Sequence, residues 1–183
     1  MRIFVSFVLP LAALLGACGE DGPTGGSSTP TPTPTPTAAS TNAERIAALE
    51  QARTIPALNR DVGLLPSDTN SNGVRDDIDT FIAATAHSAA GKQALIQMAR
   101  SIQATLTVNV ADEASVSSAG LALTRSSACV FSRASGASDP LIKDALRLQS
   151  VTTNTRERLT AYMRFNKASD GSVSTIPTED TCE

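Results

Sequence analysis

Residues 68–79, DTNSNGVRDDID, place oxygen-bearing side chains at every second or third position around a central glycine. Counted from Asp68, position 3 is Asn70, position 5 is Asn72 and position 6 is Gly73. Position 7 is Val74, position 9 is Asp76 and position 12 is Asp79. Calcium is a hard cation that takes about six to eight oxygens at about 2.3–2.6 Å. A twelve-residue loop supplies them from positions 1, 3, 5, 7, 9 and 12, with glycine at 6 for the sharp turn. Here every slot holds a suitable group: three carboxylates, two amides and the Val74 backbone carbonyl. The other reading is a solvated polar turn whose Asp76 and Asp77 favour a helix start through the macrodipole. Asp77 is not a ligand in this register and is expected at the surface.

The loop resembles the EF-hand family, and especially its loop–helix variants such as dockerin. The resemblance covers the twelve residues and the exiting helix, and it implies calcium as the bound ion. Gly63 and Pro66 argue against a regular entering helix, so the two-helix hand is expected to be incomplete. Arg75 stands at position 8, where an apolar residue usually pairs two loops, and the sequence offers no second loop. Thrombospondin type 3 repeats share the spacing, but they come in tandem and lack the helix that Ile78 and Phe81 predict. Cohesin binding needs two repeats and is not implied. Asp79 has a shorter arm than glutamate, so an unpaired loop of this kind predicts weak affinity, on the order of 10⁻⁴–10⁻³ M.

No other constellation carries chemistry as well. The single histidine, His87, falls near a helix junction. No G-x-S-x-G pattern is present, and the carboxylates outside the loop have no distinctive spacing. An enzyme is disfavoured, although a hydrolytic enzyme of the cell envelope stays open as the alternative. Cys129 and Cys182 form an even pair that an oxidising compartment would bond, with two unrelated thiols as the other possibility. A metal site there would lack ligands, since neither cysteine has a histidine neighbour.

These residues sit in a chain with three parts. Residues 1–17 have one charge, Arg2, then an apolar run from Ile3 to Leu15 that is too short for a stable span of about 20 residues. The run reads as a secretory signal. Its ending, Leu15–Gly16–Ala17–Cys18, resembles the bacterial lipobox, which implies lipid on Cys18. An ordinary signal cut nearby would instead leave Cys18 a free thiol. Gly19 follows where an aspartate would retain such proteins at the inner membrane, so the resemblance points to the outer membrane. In residues 18–40 threonine alternates with proline from Thr29 to Thr37. Proline fixes φ and removes donors, so this stretch predicts a polyproline II rod reaching about 28 Å.

Residues 41–183 are long enough for one hydrophobic core. Aromatics are few, and alanine, leucine and isoleucine carry the apolar content, which favours packed helices over a sandwich. The expected fold is all-α: an irregular bundle of five or six helices, one EF-hand-like loop and an extended C-terminal tail. Asn42 is expected to cap a first helix with an Ile46–Leu49–Ala52 stripe. Ser88 is expected to cap a helix bearing Leu95, Met98, Ala99, Ile102 and Leu106. Val116, Leu123 and Val130 stand seven apart, with Gly120 and Ser127 permitting close approach. Asp139 caps the next helix with Pro140 at its first position, and it runs to about Ser150. Asn154 and Glu157 suggest a capping box for a last helix whose inner face is Leu159, Tyr162, Met163 and Asn166.

The chain carries 15 basic and 18 acidic residues, and removing residues 1–17 takes away only Arg2. With no basic cluster, a nucleic-acid partner is excluded. The whole resembles small bacterial lipoproteins in which a similar NGVRDD loop precedes helices and a cysteine ends the tail. That likeness implies the architecture and no activity. The sequence therefore reads as a lipid-anchored protein of the cell envelope with a calcium-stabilised head. Its role would be in binding or structure, toward an envelope partner that the sequence does not name.

Overall fold

Six helices, each begun by a readable local signal, make up the folded unit of the computed structural model. It describes residues 41–177 and 179–183. The signal segment, Cys18 and the Thr/Pro stretch lie outside the described residues. The chain separates into residues Met1–Ala39 and a unit Ser40–Glu183. The helices are α1 (Asn42–Gln51), α2 (Asp76–Ala83), α3 (Ala89–Thr107), α4 (Glu113–Arg133), α5 (Pro140–Thr152) and α6 (Arg156–Ala168). Among the described residues there is no strand, and no helix is long and apolar enough to cross a membrane.

Side-chain oxygens satisfy the free N–H groups at most helix starts. The Ser88 hydroxyl accepts from Gly91, Asp112 from Ala114 and Ser115, and Asp139 from Leu141, with Pro140 in the first turn. Two caps fall one residue from their expected places. Thr41, not Asn42, caps α1 and forms a reciprocal capping box with Glu44. Thr155, not Asn154, caps α6, because the Asn154 amide is drawn inward to other partners. Helix α5 also runs on to Thr152, since buried Val151 and Thr152 gain more from packing than their β-branching costs.

Helix α3 is the central element and packs against α2, α4, α5 and α6. Leu95, Ala99, Ile102 and Leu106 form its buried stripe, the spacing that places side chains on one helical face. Around it gather Ile78, Phe81 and Ile82 of α2, Val130 of α4, and Leu141, Ala145 and Leu148 of α5. The close approach of α3 and α4 is not at Gly120, whose missing side chain faces open space. It is at Ser101 and Ser126, whose hydroxyls meet at 2.7 Å in the interior. Two expected faces are corrected. Ile46 and Leu49 are exposed and α1 buries no residue. In α6 the buried residues are Arg158 and Phe165, while Leu159 and Met163 face solvent. The phase is set by Arg158, which finds its acceptors only on that side.

Beyond α6 the tail has no regular structure, and Val173 and Ile176 are exposed. Its last residues return to the bundle. Cys182 is bonded to Cys129 of α4, closing 53 residues of chain. The Gln97 amide of α3 donates to Thr181 O at 2.8 Å, and its oxygen accepts the Glu183 N–H at 3.3 Å.

Candidate functional site

The oxygen-rich loop coils through a ring of short side-chain-to-backbone bonds. The Asp68 carboxylate accepts the N–H of Asn72 at 3.1 Å and of Gly73 at 2.9 Å. Asn70 Oδ1 accepts from Asn72 at 3.1 Å, and Asn72 Oδ1 accepts from Val74 at 2.7 Å. Asx residues make such local turns readily, which is why this composition does not extend as a strand. Two backbone positions enter the left-handed region, Ser71 at φ 54° and Gly73 at φ 82°. A Cβ on Gly73 would also meet the Arg100 side chain at 3.2 Å. Glycine is therefore favoured by the conformation, and the nearby Arg100 side chain would have to shift slightly for any larger residue.

Helix α3 holds the loop from outside. Arg100 Nε donates to Asn72 O at 2.9 Å, and Gln103 Nε2 donates to Gly73 O at 2.9 Å. Gln103 Oε1 accepts the Arg75 N–H at 2.9 Å, in place of a side-chain cap for α2. The Val74 side chain is fully buried in the core. Among the described residues its carbonyl accepts no hydrogen bond.

The six sequence-nominated residues are partly brought together. Asp79 Oδ2 accepts from Asn70 Nδ2 at 2.9 Å and from Asn72 Nδ2 at 2.8 Å, so positions 3, 5 and 12 converge. Asp76 turns elsewhere: its Oδ1 accepts from the Thr69 N–H at 2.9 Å and hydroxyl at 2.7 Å. The Thr69 hydroxyl and N–H, helped by Ser67, hold the Asp76 carboxyl below its ordinary range. Among the described residues no three His, Cys, Asp or Glu side chains gather closely enough to hold a metal by themselves. A cation here would depend on the amide and backbone oxygens as much as on the acids. The donor set suits it, being oxygen throughout, and each Asn Oδ1 keeps a second lone pair beyond its N–H bond.

Asp77 is where the expectation fails. It is mostly buried, and Arg75 holds it through Nε at 2.9 Å and Nη2 at 2.5 Å. Its Oδ2 also accepts the Asn59 N–H at 2.8 Å. Arg75, only 1% exposed, reaches on to Thr152 O at 2.9 Å. A second buried guanidinium, Arg158, donates to Gly63 O at 3.1 Å, Asn59 O at 2.8 Å, Asn154 Oδ1 at 2.7 Å and Asp61 O at 3.2 Å. Burial, then the nearby Arg75 charge, pushes the Arg158 guanidinium down from its ordinary range. The irregular segment before the loop is thus clamped by two arginines. The sequence offered one usable signal: Arg158 shares helical phase with Phe165, two turns on. Apart from Asn154, the partners lie about a hundred residues earlier and left no local trace.

His87 Nε2 lies 2.9 Å from Asp144 Oδ2, tying the α2–α3 junction to α5. Among the described residues its ring makes no hydrogen bond with a serine, threonine or cysteine.

No family model, no curated protein and no solved structure matches this chain.

Proposed function

We propose that this is a lipid-anchored envelope protein whose helical head is stabilised by calcium and serves in binding or structure. The ion would be held by Asp68, Asn70, Asn72, the Val74 carbonyl, Asp76 and Asp79. The observation that carries this reading is the loop's shape: a glycine-hinged coil in which Asn70, Asn72 and Asp79 converge and the Val74 carbonyl has no donor among the described residues. The ion's role is structural. A switch needs a second state for the ion to favour, whereas Val74, Ile78, Phe81 and Ile82 are already committed to the core. Binding would draw Asp76 from Thr69 toward the loop and offset repulsion among the three acids.

The test is thermal unfolding of residues 41–183 across a calcium titration. Stability should rise as RT ln(1 + [L]/Kd), about 1.4 kcal/mol at ten times Kd. Asp68→Ala should abolish that rise, and helix content by circular dichroism should stay constant. An unchanged midpoint at millimolar calcium would leave a polar turn, and a large gain in helix would make the loop a switch. The anchor is tested separately: mass spectrometry of the mature N-terminus should find acyl chains on Cys18, and an unmodified Cys18 would remove the membrane from the proposal.

A further inference from the structure

A cleft of about 730 Å³ lies between the segment after α1, helix α2 and helix α5, with Asp77 of the oxygen-rich loop on its wall. That is the size of a small-molecule site. Ile55 and Pro56 on one side and Phe81 on the other give it an apolar wall. Its charges are unevenly committed. Glu50 is paired with Arg60 at 2.6 Å. Burial alone would raise the Glu50 carboxyl, but the Arg60 guanidinium and the Leu58 N–H outweigh it and hold the group ionised. Asp77 is consumed by Arg75. Asp144 faces His87 at 2.9 Å and Arg147 at 3.5 Å.

What remains is one uncompensated cation. Arg53 lines the cleft, and among the described residues it has no ion pair. Its backbone sits at φ 55°, just after the end of α1, a place where glycine is the usual occupant. Across the cleft, the Arg147 guanidinium is held over the Phe81 ring at 5.5 Å and is only loosely engaged by Asp144. A cation held over a ring face in this way keeps its N–H fork open to a further partner.

From this arrangement we propose that the cleft binds a small amphipathic monocarboxylate, its carboxylate between Arg53 and Arg147 and its apolar body against Ile55, Pro56 and Phe81. Arginine forks match a carboxylate in two-point geometry. The balance of one free positive charge suits a monoanion, and the neighbouring acids repel a phosphate dianion.

The probe is octanoate, followed by calorimetry and by amide chemical shifts of residues 41–183. Octylammonium, with the same chain and the opposite charge, and inorganic phosphate are the comparisons. Octanoate should bind and shift the amides of Ile55, Phe81 and Arg147, with neither comparison binding at the same concentration. Arg53→Gln and Arg147→Gln should each weaken it about tenfold, as expected for loss of a charge-assisted contact. Arg164→Gln, at an exposed position on α6, should leave affinity unchanged. Both target arginines are exposed, so folding is preserved in these variants. The proposal is overturned if octanoate fails to bind at millimolar concentration. It is equally overturned if octylammonium or phosphate binds as well, or if both arginine variants retain full affinity.

Discussion

Replacing Arg158 with methionine should cost about 3 kcal/mol. The substitution keeps most of the apolar stem and removes the guanidinium from a site with no solvent exposure. Five acceptor contacts lose their donor. They are not equal. Asn59 O keeps its bond from Asn154 Nδ2 at 2.9 Å, and Asn59 Oδ1 keeps the Asp61 N–H at 3.0 Å. Asp61 is exposed, so water can reach its carbonyl. Gly63 O and Asn154 Oδ1 are left partly buried and unpaired, at roughly 1–3 kcal/mol each. Against that loss stands relief of the burial cost of a charge and of its repulsion from Arg75. A net loss of about 3 kcal/mol should lower Tm by about 10 °C for a domain of this size. The assay is urea unfolding of residues 41–183, beside limited proteolysis, which should newly cut between residues 54 and 67. Arg158→Lys should not rescue, because a point charge cannot serve acceptors spread around a planar fork. A loss below about 1 kcal/mol with unchanged protease resistance would show that the clamp is incidental.

Reduction of the Cys129–Cys182 bond should cost at most about 4 kcal/mol by the loop-entropy estimate. Hydrogen exchange should accelerate from residue 169 onward before it does in α3. Asp139 should give α5 a pH dependence. Its carboxyl is lowered to about 2 by bonds from the Ser135 N–H and hydroxyl and from the Leu141 N–H. A lowered folded-state value means stability present above the ordinary carboxylate range and lost as pH falls toward 2. The stability gap between the native chain and Asp139→Ala should therefore be full above about pH 4 and close near pH 2, as read from Tm across that range. Thr152→Val should raise stability by about 1 kcal/mol, because the Thr152 hydroxyl is buried without a partner among the described residues. A fall in the unfolding midpoint would reveal a hidden partner for that hydroxyl.

Where the determinants are local, the sequence announced them. Ser88, Asp139 and Pro140 set helix starts through groups within three residues, and the Leu95–Leu106 stripe lies within one helix. The two cysteines left after Cys18 admitted one pairing. Determinants of the second kind are distant. The inner face of α6 was expected at Leu159 and Met163 because arginine is rarely buried. Arg158 is buried because residues 59–63 supply backbone carbonyls, and no pattern near Arg158 records that. Asp77 was assigned to the surface because its near neighbour and partner Arg75 was weighed only as a loop position. The Ile46 stripe has amphipathic spacing, yet α1 has no helix to meet. Within the loop, composition foretold the coil and the glycine. It did not foretell that Asp76 would turn to Thr69, a competition between two nearby donors that spacing cannot rank.

The attachment of residues 181–183 to α3 has a consequence for the loop. Glu183 meets Arg100 at 2.6 Å, and the same Arg100 holds Asn72 of the loop. Gln97, one turn earlier, binds both Thr181 and Glu183. Residues 181–183 thus complete a brace whose other members stand 83 to 86 residues earlier. The disulfide and the oxygen-rich loop therefore share one support. Reducing Cys129–Cys182 would free the residues that engage Gln97 and Arg100, and with them the outer hold on Asn72.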